Sequence, residues 1–200
     1  MEQLAAIRRA GFDCFFTGYG LDDPIEDWAR EGARLGLRYE TIHAPFQDIN
    51  ALWEDKPLGE EYLAFLKTRV DGCARVSVPV MIMHTTRFTS PPSITQTGLA
   101  RFIRLNDYAR EKGVRLAYEN IENPQYLAAV LAVTDTYHGF CWDCGHNYCY
   151  TPLEDMMARY GKRLLCTHIH DNYGLRTPGL VHHRDDLHLL PLDGGLLWEE

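Results

Sequence analysis

The chain has 200 residues, 46% of them hydrophobic, which is enough for one buried core and by default a single domain over residues 1–200. Its 28 acidic and 20 basic side chains leave a net charge of -8, which gives no general support for a nucleic-acid-binding surface. No apolar run reaches membrane-spanning length and the first residues carry no signal-peptide pattern, while six irregularly spaced cysteines read as reduced thiols of a cytoplasmic protein.

In chain order, Met1 to Arg9 reads as a helix with Leu4 and Ile7 on one face. Gly11 breaks it ahead of an apolar strand at Phe12 to Phe16. Asp23 and Pro24 open a second helix, as N-cap and first helical residue, and Gly36 closes it before a strand from Leu37 to His43. Gly59 to Ala74 is helical, with Tyr62, Phe65, Leu66 and Val70 on one face. Val78 to His84 is a strand. Thr95 to Lys112 is a long helix stopped by Gly113, and Val114 to Glu119 is a strand. Asn123-Pro124 caps another helix and Phe140 to Asp143 is a strand. Thr151-Pro152 opens a third capped helix ending near Gly161, and Leu164 to His170 is the last clear strand.

Alternating strands and helices imply a parallel sheet with crossover helices. The strands are continuously apolar, as when both faces are covered. The six strands fall short of a closed barrel. The expected fold is therefore α/β, a (β/α)8 TIM barrel incomplete at both ends, lacking its first strand and its last strand-helix unit. Such a chain is expected to be a truncated product, or a short protein that completes its barrel as a homo-oligomer through its unpaired edges.

Potential metal ligands close successive strands. His43 lies in YETIHAP, His84 in VPVMIMHTT, Glu119 in VRLAYENIEN, Asp143 and His146 in GFCWDCGH, His168 in LLCTHIHDN, and Asp186 and His188 in RDDLHLLP. Such residues converge only if the strands curl into a barrel, whose C-terminal rim gathers the chemistry. Singly, His43 reads as structural and His84 fits either role. Glu119 is costly at the end of an apolar strand without a cation or hydrogen-bond partners, the bland alternative being a salt bridge or a helix N-terminus. Asp143 and His146 form the tightest pair, turned to one rim by Gly145. Oxygen and imidazole together suit Zn2+, Mn2+ or Co2+ better than Ca2+. His168 and His170 share a strand face, and Asp171 stands where it would orient a ligating neighbour.

Other features read as scaffold or surface. His182 and His183 read as solvated, Cys141, Cys144 and Cys166 as buried thiols, and Arg8, Arg9, Arg101, Arg104 and Arg110 as solvated helix faces. No glycine-rich phosphate loop is present. The polar stretches 85–93 and 172–195 are long enough to be functional loops at the rim.

Taken together, these segments resemble the xylose isomerase-like barrel superfamily, which groups sugar phosphate isomerases and epimerases with apurinic endonucleases of the endonuclease IV type. The resemblance runs from AGFDCFF to PLDGGLLW. Thr41-Ile-His-Ala-Pro45 and Met83-His84 are similar to its early histidines, and Glu119-Asn120 to its first metal glutamate. Asp143-Cys-Gly-His146 is similar to its Asp-x-x-His, and His168-Ile-His-Asp171 to its His-x-x-Asp strand. Asp186-Leu-His188 with Pro191-Leu-Asp-Gly-Gly195 resembles its final loop. No single motif is specific, but their order and spacing are.

The resemblance implies a divalent metal (zinc, manganese or cobalt) on Glu119, Asp143 and His168, with Asp171 behind His168. It also implies further metal or substrate ligands among His43, His84, His146, Asp186 and His188, and catalysis by Glu119 and His146. The implied activity is a metal-dependent sugar or sugar-phosphate isomerase or epimerase that moves a proton next to a carbonyl. The substrate would be a small carbohydrate, with no nucleic acid and no membrane involved. One departure stands out: the family's last metal-binding glutamate is unmatched, because Glu199 and Glu200 fall too early. Two competitors follow. Eight donors exceed what one metal needs, which fits a phosphodiesterase or apurinic endonuclease, and missing strands fit a degenerate barrel without turnover.

Overall fold

A computed structural model describes residues 2–198; Glu199 and Glu200 lie outside the described residues. Six strands form one sheet in sequence order, every neighbouring pair parallel: β1 Cys14–Gly18, β2 Arg38–His43, β3 Val80–Met83, β4 Arg115–Glu119, β5 Gly139–Asp143 and β6 Leu164–His168. Helix α1 Glu2–Arg9 precedes β1, and α2 Ile25–Leu35, α3 Pro57–Arg75, α4 Gln96–Glu111 and α5 Pro124–Val133 supply the crossovers from β1 to β5. The shorter α6 Cys144–Tyr150 and α7 Met156–Tyr160 lie between β5 and β6. The architecture is an incomplete TIM barrel, a curled parallel sheet with flanking helices, as the alternating pattern implies. β1 and β6 are its edges, each paired on one side. They nonetheless face each other across the mouth, because Phe16 of β1 stacks on His168 of β6 with ring centroids 5.6 Å apart. Among the described residues no helix is long and apolar enough to cross a membrane.

The two-residue strand period builds the site. Side chains two apart share a face, so each strand lays an apolar residue beneath its polar tip. Ala117 lies under Glu119 and Cys141 under Asp143, both fully buried. Val80, Ile82, Ala117 and Cys141 pack together with Cys166 and Leu165 as a small inner floor. The opposite face of the same strands, including Met81, Leu116, Tyr118 and Phe140, packs against the helices in the main core. Continuous apolar strands are what this double burial requires.

Several local expectations are corrected. Asp23 does not cap α2: its carboxylate accepts from the Gly20 amide, and Pro24 stands at the cap position. Asn123 likewise gives no cap bond; its Nδ2 donates to the Phe88 carbonyl, tying α5 to the loop after β3. Thr151 ends the unforeseen helix α6, and α7 is capped instead by Asp155, which accepts from the Ala158 amide at 2.8 Å. Arg101 is not a solvated helix residue. It is 3% exposed, with Nε on Glu60 at 3.0 Å and Nη1 on the Leu52 carbonyl at 2.9 Å.

Trp53, fully buried, links the core to the site. Its Nε1 donates to the Thr85 carbonyl at 2.8 Å, fixing the chain just after His84. Gly98 of α4 lets the indole approach the helix closely, since a Cβ there would come within 2.2 Å of it. We expect Trp53→Ala to lower the unfolding free energy by about 3–5 kcal/mol, as for large aromatic-to-alanine changes in packed cores. Gly98→Ala should also be destabilising, both effects being read by chemical denaturation.

Candidate metal centre

Glu119 is the last residue of β4 and 1% exposed. Four imidazoles surround its carboxylate. His43 Nε2 lies 3.1 Å and His84 Nε2 3.3 Å from Oε2, while His168 Nδ1 lies 2.9 Å and His146 Nδ1 3.3 Å from Oε1. The histidines come from the ends of β2 and β6, the residue after β3 and the first turn of α6. Burial on its own would push the Glu119 carboxyl up. The surrounding imidazoles, His146 and His168 foremost, outweigh burial and hold it well below the usual range.

The imidazoles divide into two classes. Burial lowers His168, but hydrogen bonds to Asp143 and Glu119 raise it to about 10. His146 is also buried, yet Asp186 and Glu119 lift it well above its ordinary value. For His84 burial wins over Glu119 and brings it down to about 4, so it remains neutral.

Asp143 is held by its backbone and used by its side chain. The buried Asn120 amide clamps it reciprocally, accepting from the Asp143 N–H and donating to its carbonyl, each at 2.8 Å. Asp143 Oδ1 then accepts from the His146 amide at 2.6 Å, capping α6, while Oδ2 is hydrogen-bonded to His170 Nε2 at 3.1 Å. His146 is therefore presented by a helix and not by a sharp glycine turn. Gly145 is needed for another reason: a Cβ there would sit 2.1 Å from the His170 ring.

A second group adjoins the first through His146. Asp186 lies 3.1 Å from His146 Nε2 and 3.1 Å from His188 Nδ1. His170 and His188 stack with ring centroids 4.0 Å apart. His188 has φ 49, a left-handed conformation unfavourable for a histidine, of the kind that concentrates at functional sites. Donor atoms come within 4.8 Å of one another in three sets: His43, His84 and Glu119; Glu119, Asp143 and His146; and His146, His170, Asp186 and His188. His168 joins the second set through Nδ1, 2.9 Å from Glu119 and 3.6 Å from Asp143. Among the described residues, buried His168 Nε2 and His170 Nδ1 have no hydrogen-bond partner. Carboxylates mixed with imidazoles, some ring nitrogens unpartnered, fit a divalent cation of the zinc, manganese or cobalt type.

Every residue singled out at the strand ends lines one cavity of about 960 Å³, with Asp186 and His188 from the C-terminal loop. Asp171 is the exception. It does not stand behind His168. Its carboxylate accepts from the amides of Asn172, Leu192 and Leu196 and from Trp198 Nε1, and its backbone pairs with Leu189. It anchors the loop that carries Asp186 and His188. His170 has a readable signal in the spacing His168-Ile-His170. Phe46 has none: its ring stacks on His84 at 4.2 Å and covers the His43 side edge-on.

Two outcomes follow. Asp171→Ala should free residues 189–198, so that hydrogen exchange at the Leu192 and Leu196 amides rises by about tenfold or more while the β4 amides are unchanged. The metal-free chain should also lose stability on both sides of neutrality. His168, raised from 6.5 to about 10, stabilises fully below pH 6.5 and loses that contribution as pH rises through 10. Glu119 and Asp143, both held low, lose theirs on acidification, and His84, kept neutral to about 4, resists the charging that acid imposes below 6.5. A melting temperature that stays flat between pH 7 and pH 10 would contradict the His168 assignment.

The chain's relatives agree with this architecture. The uncharacterized protein y4fM of Sinorhizobium fredii (strain NBRC 101917 / NGR234) is 32% identical over 240 residues, covering 99% of this chain and 74% of that protein. The IOLI protein with a binding zinc atom superposes with a TM-score of 0.76 at 17% identity, over 98% of this chain and 75% of that one. A D-tagatose 3-epimerase-like protein gives 0.75 at 18% identity, over 96% and 76%. At these identities the two structures speak for the fold alone. The family model described as "Xylose isomerase-like TIM barrel" matches residues 4–200. With that match spanning almost the whole sequence, the chain belongs to the xylose isomerase-like TIM barrel family.

Proposed function

We propose that the chain is a metal-dependent isomerase or epimerase of a sugar or sugar phosphate. The observation that carries this reading is the buried Glu119 carboxylate, ringed by imidazoles and beside Asp143, on the wall of a cavity of about 960 Å³. The likeness to an epimerase-like structure supports it. Glu119, Asp143 and His168 would hold the cation, and His43, His84, His146, Asp186 and His188 offer further donors. When bound, a divalent cation would supply Lewis acidity and a template for adjacent substrate oxygens.

The chain's own groups do the rest. Glu119, kept ionised by its neighbours, removes the proton next to the carbonyl, and a second group returns it. His146 holds a substrate hydroxyl. Its Nδ1 donates to the Asn120 carbonyl at 3.0 Å, so Nε2 is the side that reaches substrate, exchanging Asp186 for the hydroxyl. Phe46, stacked on His84, keeps water from one side of the donors.

Metal analysis together with an isomerase panel of ketoses and their phosphates tests the proposal. Asp143→Ala should abolish stoichiometric zinc, manganese or cobalt binding; full metal content in a folded variant would remove Asp143 from the ligand set. Glu119→Gln should cost about 10²–10⁴-fold in turnover, the usual worth of a positioned acid or base.

One observation favours a second reading. The set His146, His170, Asp186 and His188 extends the donors beyond one cation, as a metal-dependent phosphodiesterase of the endonuclease IV type would need. Against it stands the net charge of -8, with no basic track for a DNA backbone. Duplex DNA carrying an abasic site is therefore expected to remain uncut; salt-sensitive binding followed by strand cleavage would promote this second reading.

A further inference from the structure

The loop after β3 presents a cation that the scaffold holds still but does not neutralise. Arg87 is the one lysine or arginine lining the cavity among the described residues. Its backbone is clamped by Asn50, whose side chain accepts from the Arg87 amide at 2.9 Å and donates to its carbonyl at 3.0 Å. Its guanidinium carbon lies 4.0 Å over the ring of Phe88, whose own carbonyl is held by Asn123. Nη1 donates to the Gln47 carbonyl at 2.6 Å. The position is thus set by the neighbouring loop and by Asn123, the residue that precedes α5.

The rest of the guanidinium is unused. Arg87 makes no ion pair among the described residues, Nη2 makes no hydrogen bond, and Nε is buried without an acceptor. An arginine with a purely structural role looks different here: Arg101 engages Glu60 and two backbone carbonyls. Nε and Nη2 form the side-on edge of the fork, the geometry that matches a carboxylate or phosphate. The remaining charged wall outside the donor cluster is acidic, with Asp23 and Glu122, and would repel an anion elsewhere in the cavity. Arg87 also stands at a defined place relative to the donors. Phe46 neighbours both, its ring centroid 4.2 Å from that of His84 and 5.9 Å from the Arg87 guanidinium carbon.

We propose that Arg87 reads an anionic group, a phosphate or carboxylate, on the end of the substrate remote from the reacting carbonyl. This rests on the isomerase reading and narrows it to acidic sugars, with a carbon chain of several atoms spanning Phe46. The anion makes charge-assisted bonds with Nη2 and, after a small rotation of the side chain, with Nε.

Isothermal titration of the metal-loaded chain with a neutral ketose, its terminal phosphate ester and the corresponding sugar acid tests this. Metal content is measured in parallel. At least one acidic form should bind about tenfold or more tightly than the neutral ketose. Which of the two does so separates phosphate from carboxylate recognition. Arg87→Gln should bring the acidic ligand down to the level of the neutral one with metal stoichiometry retained, and Arg87→Lys should fall between. If Arg87→Gln misfolds, Arg87→Lys and the salt dependence of wild-type binding still decide, since the preference should shrink with ionic strength. Equal affinity for all three ligands, no measurable binding of either acidic form, or a preference that survives Arg87→Gln would overturn the proposal. Turnover of neutral ketoses without such a preference would leave the isomerase reading standing and this inference rejected. A chain that takes up no metal but binds the acidic sugar through Arg87 would support the anion site and reject the metal-dependent isomerase.

Discussion

A carboxylate with almost no exposure at the end of an apolar strand sets the terms for the rest of this molecule. Burying the charge of Glu119 carries a large desolvation cost unless partners surround it. They come from four separate places along the chain: His43, His84, His146 and His168. No single helix or hairpin can bring these positions together. Parallel strands in sequential order can, because each ends at the same rim and the sheet curls. The imidazoles then sort by environment. The carboxylate neighbours of His168 favour its protonated form, whereas burial keeps His84 neutral. A cation entering the site would displace those protons from the donors.

Around that centre, polar side chains replace regular structure where it ends. Asn120 clamps the end of β5 by its backbone and so aims Asp143. Asp143 in turn makes the first hydrogen bond of α6 and thereby presents His146. Asp171 gathers the C-terminal loop around one buried carboxylate, bringing Asp186 and His188 to the second set of donors. Each device uses a side-chain amide or carboxylate to satisfy backbone groups that would otherwise be left without partners. Rigidity at the rim therefore comes from hydrogen bonds, and rigidity below it from the packed floor of Ile82, Ala117 and Cys141.

Much of this is legible in the amino-acid sequence because period and position carry it. Continuous apolar runs ending in histidine or carboxylate mark the strands and their rim, and glycine at 36 and 113 marks helix ends by the positive φ each adopts. Cap chemistry misleads at Asp23 and Asn123, where a tertiary partner, the Gly20 amide or the Phe88 carbonyl, competes for the side chain. Asp171 misleads because adjacency to the His168-Ile-His170 segment says nothing about which way a carboxylate points once the strand has ended at His168. Arg101 misleads because helix position alone does not reveal that the neighbouring segment offers the Leu52 and Glu54 carbonyls to the guanidinium. Phe46 and Arg87 carry no motif, and their significance comes from stacking and from an unmatched charge, which only coordinates reveal.

Glu119, Asp143 and His168 must act together as metal ligands in one cavity for this mechanism to operate. Anomalous diffraction from crystals soaked in zinc or manganese tests this most directly. We expect a peak at about 2.0–2.2 Å from oxygen of both carboxylates and from a His168 ring nitrogen. A peak confined to exposed histidines such as His182 and His183, with none beside Glu119, would contradict it.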